Sequence, residues 1–196
     1  MHIPWTQLEG TVLWDDSKRR HESDVWRRYH AFSHPVFLYT QAEAFGYPYC
    51  RSLDRAILTH DVISSGVNPE KRCVEWLENR LEKPDFVARK LILSTVTHTP
   101  CSDNRLIILD LSSFMVDELR RSGSEAFFQE KAIHQGWDLP TFIKKNTEYL
   151  VGLSQRISDG MYSPIVPLED QDQFSAIREG IMRTLHEFEQ FTPDWS

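Results

Sequence analysis

At 196 residues the chain has the length of one domain and can bury a sizeable core without a disulfide or metal staple. Its 22 Lys and Arg against 29 Asp and Glu leave a formal charge of −7, which argues against a nucleic-acid backbone or an anionic membrane surface as main partner, because both select clustered Lys and Arg. Hydrophobic residues at 40% exclude a disordered chain, and 8 glycines, about 4% against a usual ~7%, favour long helices over a turn-rich all-β fold.

Residues 1–21 read as an irregular lead-in, with Pro4, Gly10 and the polar run from Asp15 to Arg20. From Glu22 the spacing turns helical behind a Ser23-Asp24 cap. The apolar pattern continues from Pro35 to Phe45 and stops at Gly46-Tyr47-Pro48. The stretch Arg51 to His60 carries Leu53, Ala56, Ile57 and Leu58 at helical spacing. After a loop from Ser64 to Pro69, Glu70 to Glu82 reads as a helix with Val74, Leu77 and Leu81 inward. Pro84-Asp85 opens the next one (Phe86, Leu91, Ile92, Val96), which ends near Pro100. Asp103 caps a helix expected to run through Leu119. The run Leu106 to Leu109 would also suit a buried strand, but the cap before it and Leu111, Phe114 and Met115 after it favour helix. Three more helices are expected, over Ser124–Gly136, Pro140–Ile157 and Asp170–Gln190. The expected architecture is an all-α single domain over 1–196, with a helical core at 22–165 and a C-terminal helix within 166–196.

Cys50, Cys73 and Cys101 are odd in number and lack CxxC spacing, so neither a disulfide framework nor a zinc knuckle is expected. No apolar run reaches the ~18 residues a membrane span needs, and the first residues lack the apolar core of a signal peptide. These features predict a reducing, cytoplasmic setting with no membrane association.

Of the eight histidines, His2, His21 and His186 sit in polar or terminal contexts and are set aside. Arg27, His30 and His34 fall at i, i+3 and i+7, one stripe if the segment is a single helix. Pro35 favours a new helix starting there, which would put His34 at a helix N-terminus. His60-Asp61 closes the apolar helix AILTHD, as a C-terminal cap or as a pair of ligand-type groups that something else must satisfy. Asp110 stands in LIILDLSSF, either on a polar helix face or aimed at a partner. His98 closes KLILSTVTH, where an ordinary cap is the simpler reading.

The order His, then His-Asp, then a lone Asp in a later apolar helix resembles the HD-domain superfamily of metal-dependent phosphohydrolases. Closer still is the likeness to small predicted members with blocks R-x-Y-H-x-x-x-H, HD, N-E-x-x-S, T-x-x-H and L-D. Here these stand as Arg27-Arg28-Tyr29-His30 with His34, as His60-Asp61, as Asn68-Pro69-Glu70-Lys71-Arg72-Cys73, as Thr95-Val96-Thr97-His98 and as Leu109-Asp110. Pro35 and Ala31 depart from the usual pattern, Cys73 stands where the family has Ser, and Ser112 replaces a second acidic residue. The later basic blocks, R-x-E-Y and G-R, have no clean match; Lys131 and Lys144-Lys145 are nearest.

The resemblance implies a single HD-like helical bundle and a divalent ion (Mn, Fe, Co, Ni, Zn or Mg) held by His34, His60, Asp61 and Asp110. It leaves open whether His30 or His34 is the ligand from the first block. It implies Asp61 as the group that accepts the proton of the attacking water, Glu70 as a second catalytic candidate, and Arg27, His30, His98 and Lys131 as substrate contacts or supports of the ligands, with Arg27 as the expected phosphate clamp. The implied substrate is a nucleotide or related phosphoester. A homo-oligomer is compatible with the sequence. Two other readings remain: a degenerate HD fold that binds a nucleotide or partner without turnover, and an all-α interaction protein whose histidines are structural.

Overall fold

Thr11 opens the first helix, α1 (Val12–Ser23). Its backbone is extended, and its hydroxyl accepts a bond from the Trp14 amide. The computed structural model describes residues 2–190, and among these the protein is all α-helical, with no strand. The position of α1 corrects the expected lead-in over 1–21. Its buried stripe is Trp14, Ser17 and His21, one apolar residue and two polar ones, so the rest of the Asp15–Arg20 run lies on the outer faces of a helix rather than in a loop. Nor does a helix begin at Glu22. Residues 24–32 form turns, and the next helix, α2 (Ser33–Ala44), holds His34 and Pro35 in its first turn. Proline is tolerated there because the first amides of a helix have no intrahelical acceptor. The single stripe of Arg27, His30 and His34 therefore does not exist as a helix face.

The chain divides into two compact units, one running to Val96 and including Arg105–Asp110, the other made of Thr97–Asn104 and the chain from Leu111 onward. In the first unit, α3 (Arg51–Thr59) buries Leu53, Ala56, Ile57 and Leu58 completely. A loop then leads to α4 (Pro69–Glu78), which starts after Asn68 in the left-handed conformation (φ 50°) with Pro69 at its first position. Asp85 caps α5 (Phe86–Ser94) through the Ala88 amide. The same carboxylate takes Ser52 and Arg55 of α3 at 2.8–3.0 Å, tying the two helices together. The pattern residues of α5 divide: Leu91 and Ile92 are buried, whereas Phe86 and Val96 are exposed. Helix α6 (Arg105–Leu111) buries every residue from Leu106 to Leu109, so the run compatible with a strand is a helix surrounded by core. It does not continue to Leu119. A 3-10 turn follows over Ser112–Met115, and extended Val116 (φ −127°, ψ 121°) separates it from the next helix.

In the second unit, α7 (Asp117–Gln135) ends at left-handed Gly136. It packs with α8 (Leu139–Gly160) and α9 (Leu168–Gln190), where Phe142 meets the rings of Phe127, Phe128 and Phe188. Gly180 lets α9 approach the Phe114 carbonyl so closely that a Cβ there would lie 1.8 Å from its oxygen. Residues 191–196, the end of the expected C-terminal helix, lie outside the described residues. No helix among the described residues is long and apolar enough to cross a membrane.

Candidate metal centre

Three parts of the first unit deliver four side chains to one point. His34 comes from the first turn of α2, His60 and Asp61 from the end of α3, and Asp110 from the penultimate position of α6. Nε2 of His34 lies 3.0 Å from Oδ1 of Asp110 and 3.5 Å from Oδ2 of Asp61. Nε2 of His60 lies 3.1 Å from Oδ2 of Asp61 and 3.6 Å from Oδ1 of Asp110. One ligand-type atom from each of the four falls within 4.8 Å of all the others, so this group could hold a metal ion. Residues far apart in sequence meet because α3 and α6 are core helices, and each releases its polar residue where its buried run ends.

The donors fit a cation. His60 Nδ1 sits 3.0 Å from the Ile57 carbonyl, so that nitrogen carries the proton and donates it, leaving Nε2 to face the carboxylates. Nε2 is fully buried and faces Asp61 Oδ2 at 3.1 Å without the alignment of a hydrogen bond. Buried polar atoms without a well-aligned hydrogen bond are rare in folded proteins, and an ion between two imidazoles and two carboxylates would satisfy this one. Without an ion, a proton serves the same end. Burial opposes a charge on His60, but Asp61 and Asp110 outweigh it and hold its imidazolium well above the usual histidine range. Burial likewise pushes the Asp61 carboxyl up, while the fields of His60 and His30 more than reverse this and bring it below the ordinary carboxylate range. A mixed nitrogen and carboxylate set of this kind suits Mn, Fe, Co, Ni or Zn better than Ca.

Arg27 supports the ligands from behind. Its Nη1 donates to the carbonyls of Asp61 (2.7 Å) and His30 (3.2 Å), its Nη2 to the Val62 carbonyl (3.0 Å) and Asp24 Oδ2 (2.9 Å), and its Nε to Asp24 Oδ2 (3.1 Å). All five guanidinium N–H groups are thus used, and the side chain is 1% exposed. This corrects the expected phosphate clamp: with every donor bonded to protein groups, the geometry of Arg27 is that of a brace. Asp24, read from sequence only as a cap, is the carboxylate that neutralises it.

His30 stands beside the group but outside it. Its Nε2 is 3.9 Å from Oδ2 of Asp61, its side chain is 18% exposed, and Tyr29 packs edge-on against it at 5.0 Å between ring centres. Glu70 sits half-buried in the first turn of α4 and makes no hydrogen bond or ion pair with the four among the described residues. His98 and Lys131 belong to the second unit. There His98 adopts a left-handed backbone (φ 52°) with Nδ1 3.4 Å from the Tyr149 hydroxyl, and Lys131 lies over the Phe127 ring.

His21, set aside on the sequence, is 2% exposed, and its Nδ1 is bonded to the Ser17 carbonyl at 2.9 Å. Burial, aided by the positive field of Arg27, lowers its imidazole to about 4. It shares a helix face with Trp14 and Ser17, but only Trp14 marks that face with an apolar side chain. Comparison with known proteins returns no matching family model, no matching curated sequence and no matching solved structure.

Proposed function

We propose that the chain is a metal-dependent phosphohydrolase of HD-superfamily type, acting on a nucleotide or a related phosphoester. The observation that carries this reading is the convergence of His34, His60, Asp61 and Asp110, with the buried Nε2 of His60 turned toward both carboxylates. A divalent ion bound there would lower the pKa of a coordinated water and offset charge on the phosphoryl oxygens. Asp61, 20% exposed at the side chain, is the carboxylate positioned to accept that water's proton. His60, fixed by the Ile57 carbonyl, and His34 orient the ligand set. His30, partly exposed beside Asp61, is the side chain best placed to donate to a phosphoryl oxygen. The three free cysteines agree with a reducing, cytoplasmic setting.

One observation favours a catalytically silent version of the same centre. Arg27, which binds the Asp61 carbonyl, has no donor left for a substrate phosphate, and the basic blocks of the family lack clean counterparts. The deciding experiment is metal analysis of the purified protein, followed by phosphate and pyrophosphate release over a panel of nucleotides and simple phosphoesters with Mn²⁺, Co²⁺ or Mg²⁺. Stoichiometric metal with turnover supports the enzyme. Metal without turnover of any substrate supports the silent version, and absence of metal binding overturns both.

A further inference from the structure

The loop that begins with Asp61 has no regular secondary structure, so its backbone groups must find partners elsewhere. Arg27 takes the carbonyls of Asp61 and Val62. The next residue is held by a cysteine. The Ile63 amide donates to Sγ of Cys73 at 3.2 Å, and the Cys73 thiol donates back to the Ile63 carbonyl at 3.3 Å. Cys73 lies on α4 and is completely buried. Burial pushes its thiol up, so it stays protonated and able to donate. A buried thiol commonly acts as a small apolar filler. A filler has no need to engage both polar groups of one residue, and this one does so two positions after Asp61.

We propose that Cys73 is a positioning residue of the metal centre: its reciprocal pair with Ile63, together with Arg27, sets the backbone that aims the Asp61 carboxylate. The inference rests on the metal-centre reading above. Three consecutive carbonyls, those of Asp61, Val62 and Ile63, are held by two buried side chains from outside the loop. The carboxylate direction is thereby fixed without a helix or strand at that point. Alanine keeps most of the volume of Cys73 but can neither donate nor accept. Serine can do both across a shorter side-chain bond.

The test uses the full chain with Co²⁺ as probe, read by its visible absorption bands and by titration, beside melting of the metal-free protein. Cys73→Ala should fold yet bind Co²⁺ at least ~10-fold more weakly with altered bands, the scale of loss typical when supports of metal ligands are removed. Cys73→Ser should recover most of the affinity and the wild-type spectrum. An alanine variant with wild-type affinity and bands overturns the proposal, as does a serine variant no better than alanine. If the alanine variant does not fold, hydrogen exchange of the Ile63 amide in the serine variant decides. Co²⁺ affinity and amide protection retained together, or lost together, support the role; one retained without the other overturns it. Failure of the wild-type protein to bind Co²⁺ is a separate result that removes the metal centre itself.

Discussion

Replacing Asp61 by Asn keeps the side-chain shape and removes one charge, which separates a metal ligand from a helix cap. Oδ2 of Asp61 lies 3.1 Å from His60 Nε2, 3.5 Å from His34 Nε2 and 3.9 Å from His30 Nε2. A charged contact of this kind contributes about 1.5–3 kcal/mol, and the like charge of Asp110 offsets part of it, so the loss should be about 2 kcal/mol. For a chain of this length that lowers the melting temperature by roughly 4–8 °C. The pH dependence follows from the two shifts. The depressed Asp61 carboxyl contributes stability that is present above the ordinary carboxylate value of 3.8 and is lost as pH falls through its lowered value. The raised His60 contributes stability that is full below 6.5 and is lost as pH rises through its elevated value. The gap between wild type and Asp61→Asn should therefore be widest between about pH 4 and 6.5 and close on the alkaline side. With Mn²⁺ at about 100 times its Kd, wild type should gain ~2.7 kcal/mol, roughly 5–10 °C, and Asp61→Asn almost none. Turnover should fall about 10²-fold or more. The assay is thermal melting from pH 4 to 9 with and without Mn²⁺, beside phosphate release. A variant with unchanged melting temperature and an unchanged Mn²⁺ shift refutes the reasoning, because a cap alone would behave that way.

Arg27→Met should cost about 3 kcal/mol in urea unfolding, since it leaves three carbonyls without their donor and Asp24 with Arg20 in place of two guanidinium partners; a cost under about 1 kcal/mol would show that water replaces the guanidinium. Metal binding near neutral pH should release about one proton, because the ion displaces the one held by His60, and affinity should climb with pH until the raised value of His60 is passed. Calorimetry in two buffers of different ionisation heat reads this directly, and equal heats in both would count against it. Gly180→Ala should destabilise the second unit by about 2–3 kcal/mol, because the new methyl meets the Phe114 carbonyl and α9 must move; an unchanged denaturation midpoint would contradict that packing.

Much of this protein is local in origin, and that part is legible in the chain itself. The buried runs of α3 and α6, the stop at Gly46, the loop ahead of α4 and the break at Gly136 follow from side-chain period and backbone restriction, which neighbouring residues carry. The ligand types and their order, with His60-Asp61 before Asp110, are visible in the same way. Helix α1 was hidden because only Trp14 marks its buried face, while Ser17 and His21 carry no apolar signal. Whether the four ligands meet is decided by the packing of α2, α3 and α6 around one core, which no periodicity encodes. The choice between clamp and brace for Arg27 belongs to tertiary structure as well. Its acceptors are carbonyls 34 and 35 residues away, and a carbonyl looks the same in every residue, so such a bond leaves no trace in the sequence of side chains. The bonds of Cys73 to Ile63 are of the same kind: residue type supplies the donor, and only the fold supplies the backbone group it holds.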